Sequence, residues 1–226
     1  NPRGTGLEWF AVVNDSSKTA ITNYAKGILS GGTNVFTYTP SGQTSITVPF
    51  NNIVTTLMTN MSTLFQSAAA FNQPVASWDT SRVTNMNNMF AGAALFNSDI
   101  SSWNTTNVTN MSGMFSNSSF NQPLNFWDVS KVENMSYIFG ETTVFNQPLD
   151  SWDVSSVLDM SYMFSFAQQF NHPLTDWDVS HVTNMSHMFY DANMFDSSLD
   201  TWDVSKVTDM SSMFNEAFAF NSSING

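Results

Sequence analysis

The chain contains no cysteine, which excludes disulfides and thiolate metal sites. Basic residues are scarce: 6 Lys and Arg stand against 18 Asp and Glu, a net charge of -12. That balance excludes the broad electrostatic attraction that nucleic acid or an anionic membrane surface requires. No apolar run approaches the roughly 18 residues of a membrane-spanning helix. Charge of either sign is low, 11% of residues against 14% aromatic, so the chain is not a disordered polar polymer. Its 226 residues suffice to bury a sizeable core. It opens on Asn1-Pro2-Arg3-Gly4, without an initiator methionine or a signal peptide, and is expected to be a processed or excised piece of something longer. Catalytic signatures are missing as well. His172, His181 and His187 are the only histidines, none forms H-E-x-x-H, and there is no G-x-S-x-G or phosphate loop, so an enzyme is not expected.

What the chain does have is a repeat. Trp78, Trp103, Trp127, Trp152, Trp177 and Trp202 follow one another at intervals of 25, 24, 25, 25 and 25 residues. Methionine keeps the same interval from Met61 through Met86 and Met111 to Met210, and phenylalanine keeps it twice, from Phe65 to Phe214 and from Phe71 to Phe220. Self-similarity at this period marks a solenoid or array.

Within one unit two periods follow in succession. Leu149, Trp152 and Val154 have the spacing of a short strand, with Ser151, Asp153 and Ser155 on its other side. Val157, Met160, Met163, Phe164 and Ala167 then form a stripe at helical spacing, and Pro173 beyond Phe170 opposes its continuation. A single unit cannot cover its own aromatics, whereas parallel stacking at about 4.8 Å turns the columns into one apolar interior. The expected fold is therefore an α/β repeat solenoid of about seven ~25-residue units, each a short parallel strand plus a short helix, spanning residues 50–226. Asn72, Asn97, Asn121, Asn146, Asn171 and Asn221, with Asp196 substituting once, fall at a bend where their side chains can bond backbone groups as an asparagine ladder. Residues 1–49 lack the period; their NVFTYT and TSITVPF stretches read as strands of a β-rich N-terminal cap. At the other end Asn225-Gly226 stops just short of the next tryptophan, leaving an exposed edge or a place for more coils.

The phrase FNHPLTDWDVSHVTNMSHMF at residues 170–189, repeated in some seven versions over about residues 57–226, resembles the repeat of the BspA-type leucine-rich repeat surface proteins, including the Mycoplasma-type lipoprotein repeat. The resemblance implies a right-handed, leucine-rich-repeat-like solenoid carried on surface proteins, where adhesion or host interaction is the usual suggestion. It implies no defined ligand, and residues 1–49 fall outside it.

Candidate site residues come from the outward positions. Asp79, Asp128, Asp153, Asp178 and Asp203, with Asn104 in the same column, place like charges about 5 Å apart, which repel by about 1 kcal/mol in water and more in a poorer dielectric. Compensation is at hand in Arg82, Lys131, His181 and Lys206 three residues on, and in the hydroxyls of Ser81, Ser130, Ser155, Ser180 and Ser205 two residues on. The favoured reading is that each aspartate shapes its turn. Calcium is the alternative, weakened because it takes about six to eight oxygens and no loop has the EF-hand pattern; otherwise no cofactor or metal is expected. The tryptophans share a face with valine and read as core rather than as sugar-stacking platforms, and the methionines as core filler. Several N-x-S/T sequons arise because the unit says Asn-Met-Ser, and are read as structural.

Where copies differ, ligand information can reside. Phe126, Ser151, Asp176 and Thr201 precede successive tryptophans and share a face with Asp128, Asp153, Asp178 and Asp203, so these eight residues are the candidate ligand-binding set. The expected function is non-catalytic recognition or adhesion at a cell surface or outside the cell, with a protein or glycan of a host or neighbouring cell as partner. The alternative is a structural or tip domain of a fibre, virion or surface layer that forms a homo-oligomer or a rigid spacer.

Overall fold

The structure, a computed structural model, describes residues 10–27, 35–39 and 44–224. Residues 1–9, 28–34, 40–43 and 225–226 lie outside the described residues.

Among the described residues the N-terminal part contains four strands and one α-helix: β1 (Ala11–Asn14), α1 (Lys18–Gly27), β2 (Val35–Tyr38), β3 (Ile46–Pro49) and β4 (Ile53–Leu57). The helix was not anticipated in a segment read as β-rich. A capping box starts the turn that leads into it, with Asn14 accepting from the Ser16 N–H at 3.1 Å and Ser17 Oγ accepting from the Asn14 N–H at 3.4 Å. The NVFTYT and TSITVPF stretches contribute β2 and β3, which pair antiparallel with Phe36 opposite Val48. β1 pairs in parallel with β4 across the expected boundary at residue 50, Ala11 opposite Ile53 and Val12 opposite Val54.

From β4 onward each 24- or 25-residue coil stacks on the one before, marked by parallel bridges that run Asn60, Asn85, Asn110, Asn134, Asp159, Asn184 and Asp209. The N–H groups of Met61, Thr63, Phe65 and Ser67 donate to the carbonyls of Asn85, Asn87, Met89 and Ala91 at 2.7–2.9 Å. Between them, the N–H groups of Gln66 and Ala68 donate to the carbonyls of Thr63 and Phe65 within the same coil at 3.1 and 3.0 Å. Two residues of this stretch in every coil are left-handed, for example Tyr162 at φ 57° and Phe166 at φ 58°.

The expected short helix is therefore corrected. Residues 58–224 contain no helix, and the Val157 to Ala167 stripe is a series of tight turns. An α-helix would consume its N–H groups internally, whereas here alternate N–H groups leave for the next coil and left-handed residues interrupt any helical run. The expected strand at Leu149–Val154 is corrected too. That segment alternates exposed and buried residues but is bent, with the Trp152 N–H turned back onto the Leu149 carbonyl at 3.1 Å, and the parallel bridge falls at Asp159 instead.

The columns form the core. Phe65, Phe90, Phe115, Phe139, Phe164 and Phe189 are fully enclosed, with successive ring centroids 5.2–5.9 Å apart. Burying one such side chain is worth about 1.5–3 kcal/mol. The asparagine ladder is present: the backbone N–H groups of Asn97, Asn121, Asn146, Asn171, Asp196 and Asn221 each donate to the side-chain Oδ1 of the preceding coil at 2.8–3.2 Å.

The first coil is closed by side chains that replace a preceding coil. Along the stack the Thr84 N–H donates to the Thr59 carbonyl, and Thr109 to Thr84. The Thr59 N–H itself donates to the Asp15 carboxylate at 2.9 Å, joined by the Asn60 N–H at 3.1 Å. Lys18 Nζ reaches Ser62 Oγ at 2.9 Å, and Phe50 stacks on Tyr24 at 4.8 Å and meets Phe71 of the first coil edge-on at 5.6 Å. At the far end burial fails: Val204, Met210, Phe218 and Ile224 are exposed.

Candidate functional site

Two outward surfaces can meet a ligand, and the first is the one expected from the sequence. Trp103, Trp127, Trp152, Trp177 and Trp202 point inward, 2–5% exposed, and each indole N–H donates to a carbonyl of the preceding coil, as from Trp152 to Leu124 at 2.9 Å. Such a buried ring has no face to offer a sugar. The residues on either side of each tryptophan point outward by the strand-like alternation, and Phe126, Asp128, Ser151, Asp153, Asp176, Asp178, Thr201 and Asp203 are all exposed. Phe126 is 89% exposed.

The aspartates are held by their own turns. Asp128 Oδ1 accepts from the Ser130 N–H at 3.1 Å and hydroxyl at 2.6 Å, and Asp153 accepts from Ser155 at 3.1 and 2.6 Å. Asp178 and Asp203 accept from the N–H groups of Ser180 and Ser205, each at 3.0 Å. At Asp128 they favour the charged form: the Ser130 hydroxyl and N–H hold its carboxyl below the usual range, with a smaller contribution from Lys131. Thr201 is tied by its hydroxyl to the Thr175 carbonyl at 2.6 Å, and the Ser151 backbone is held by its N–H to Asn125 Oδ1 at 3.0 Å. Among the described residues no three His, Asp or Glu side chains converge to hold a metal ion.

The second surface lies over the tight turns and was not singled out from the sequence. Its outward columns carry the left-handed residues: Thr63, Asn88, Gly113, Tyr137, Tyr162, His187 and Ser212 in one, and Ser67, Gly92, Asn117, Glu141, Phe166, Asp191 and Glu216 in the other. Tyr137 stacks on Tyr162 at 4.4 Å and 13°, and Tyr162 stacks on His187 at 4.4 Å and 6°. Phe166 and Tyr190 adjoin them, 5.2 Å apart, and the Tyr190 hydroxyl donates to Glu216 at 3.4 Å. The signal available in the sequence was the variability of the column two residues after each methionine, hidden because that stretch reads as an ordinary helix surface. His187 is committed to ring stacking, His172 Nε2 meets the Asn146 carbonyl at 3.1 Å and His181 Nδ1 meets the Ser180 hydroxyl at 3.4 Å.

Residues 34–129 and 117–226 both match the profile of the family described as Mycoplasma protein of unknown function, DUF285. The matches span well over half of the chain, and the chain belongs to that family. No curated protein and no solved structure matches it.

Proposed function

We propose that this member of the DUF285 family is a non-catalytic recognition module of the BspA-type, leucine-rich-repeat-like kind, a right-handed solenoid displayed outside the cell that binds a protein or glycan along its outward columns. The observation that carries the reading is Phe126. An aromatic side chain left 89% exposed, on a backbone fixed by hydrogen-bonded turns and flanked by Asp128, Ser151 and Asp153, is a rigid anchor of the kind that dominates recognition surfaces. Ordering such a face costs little on binding because its turns are already bonded. The copies differ along this face, Phe126 giving way to Ser151, Asp176 and Thr201, so several coils can contribute distinct contacts.

Labelled protein applied to a glycan array and a panel of purified extracellular proteins tests this. Retained binding that Phe126→Ser and Asp153→Ala abolish, with the melting temperature unchanged, supports it. Binding that survives both changes removes the face from the reading.

An apolar depression over Trp202 and Met213 favours a second reading, a rigid spacer that self-associates. Leu199, Trp202, Val204, Met210 and Met213 line this depression of about 190 Å³, and the occupant would be a second copy. Concentration-dependent sedimentation, abolished by Met210→Glu, distinguishes it from a monomeric binder.

A further inference from the structure

We propose that Tyr137 is the platform of a binding site for an uncharged oligosaccharide, on the tight-turn surface opposite in kind to the Phe126 face. One side of the ring is occupied by Tyr162 at 4.4 Å. On its other side the column position belongs to Gly113, where the Asn88 amide takes the place a Cβ would fill; an open depression lined by Asn88, Gly113 and Tyr137 lies there, and Tyr137 is 38% exposed. The ring is seated by Gly140, where a Cβ would come within 2.6 Å of Tyr137 Cδ1.

Two open depressions meet at this ring. One, of about 310 Å³, is walled by Asn88, Ser112, Gly113 and Ser116 as well as Tyr137; the other, of about 280 Å³, adds Asn117 and Glu141. They fall near the lower end of the range for small-ligand clefts, about 300–1,000 Å³. The chemistry is that of a sugar site. A pyranose offers a C–H face that packs on an aromatic ring and a rim of hydroxyls that both donate and accept. Asparagine amides and serine hydroxyls likewise donate and accept. No Lys, Arg or His lines either depression, Glu141 is the one charged lining residue, and the chain is at -12, so an anionic sugar or nucleotide has no counter-charge. The turns beneath the site are fixed, with Asn88 and Asn117 both left-handed at φ 51° and 52°. This extends the recognition reading by naming a ligand class, but uses residues that the Phe126 face does not.

The test is saturation-transfer NMR and calorimetry on the full chain with neutral oligosaccharides (gluco-, manno-, xylo- and chito-hexaoses), and a heparin octasaccharide as the anionic arm. At least one neutral sugar is expected to receive saturation at its ring C–H protons and to move the Tyr137 ring resonances. Tyr137→Ala is expected to weaken binding by roughly tenfold or more, and Tyr137→Phe to keep it. Gly113→Tyr should abolish binding by covering this side of the ring, and should fold, because the same column already holds Tyr137 and Tyr162 at φ 59° and 57°, and the nearest obstacle to its Cβ is the movable Asn88 amide. Phe126→Ser should change nothing, which separates this site from the other face. No transfer to any neutral sugar at about 10 mM overturns the proposal, as does preference for heparin, sugar binding that leaves the Tyr137 resonances still, or binding that survives both Tyr137→Ala and Gly113→Tyr.

Discussion

The backbone N–H of Asn146 donates to Asn121 Oδ1, 25 residues earlier, at 3.0 Å, and Gln147 Nε2 donates to the same oxygen at 3.0 Å. One amide oxygen thus fastens two groups of the next coil. Asn121→Ala should lower stability by about 0.5–1.5 kcal/mol, the net worth of hydrogen bonds whose donors water can reach, seen as a lower urea midpoint at unchanged slope. Asn121→Asp should cost little at neutral pH, since Asp196 performs the same task for the Asn221 N–H at 2.8 Å. Equal losses for both variants would refute the ladder as the source of the effect.

The tryptophans separate packing from hydrogen bonding. Trp152 Nε1 donates to the Leu124 carbonyl, whereas Trp78 Nε1 is enclosed without a partner because the preceding coil is the irregular one that begins at Phe50. Replacement by Phe removes similar volume at both places, but at Trp152 it deletes a buried hydrogen bond, the Leu124 carbonyl keeping only the Trp127 N–H at 3.0 Å, whereas at Trp78 it removes an N–H that has no partner. Trp152→Phe should therefore exceed Trp78→Phe in cost by about 1–2 kcal/mol, measured by chemical denaturation. A larger loss at Trp78 would sink this account.

The inward columns and the asparagine ladder were legible because they recur, and recurrence at one period leaves an apolar residue no choice but to face its copies. The conformation of the Asn-Met-Ser stretch was not. Val157, Met160, Met163 and Phe164 have a spacing that helical turns and alternating right- and left-handed turns share, and most left-handed positions hold residues such as Tyr137, Tyr162, His187 and Thr63, with glycine only at Gly92 and Gly113 to announce them. Misreading that segment as helix also concealed the ring stack at Tyr137. The Asp column was seen, and its turn-shaping bonds to Ser130 and Ser155 with it, because an aspartate two residues before a serine is a local pattern. The helix Lys18–Gly27 was missed because it occurs once.

Acid should destabilise the stack. Hydrogen bonds hold several carboxyls below their usual range: the hydroxyl and then the N–H of Ser81 for Asp79, those of Ser130 for Asp128, and the Asn221 N–H for Asp196. A group depressed in the folded state contributes stability that is complete above its unfolded pKa, about 3.9, and is lost as pH falls through the lower folded value. The melting temperature should stay nearly level from neutral pH to about 5, helped by relief of the -12 charge, and fall below about 4. Asp128→Asn should fold, because Asn104 already accepts the Thr106 N–H at 3.1 Å in this column, and should show a shallower acid limb. An unchanged limb would count against Asp128.

The left-handed positions predict a stabilising change. Thr63 is β-branched and sits at φ 59°, a conformation that costs an L-residue roughly 1–2 kcal/mol and costs glycine almost nothing. Its side chain is exposed and bonds only the neighbouring Ser62 carbonyl, at 2.7 Å, so little is lost with it. Glycine loses more freedom on folding, about 0.5–1 kcal/mol, which offsets part of the relief. Thr63→Gly should therefore raise stability by a net of about 0.5 kcal/mol or slightly more, while its neighbour Gln66→Gly should lower it by about 0.5–1 kcal/mol, because Gln66 has no such strain to release. Thermal and urea melts of the two variants beside the parent chain decide the matter: destabilisation of equal size in both would mean that the turn carries no strain at Thr63.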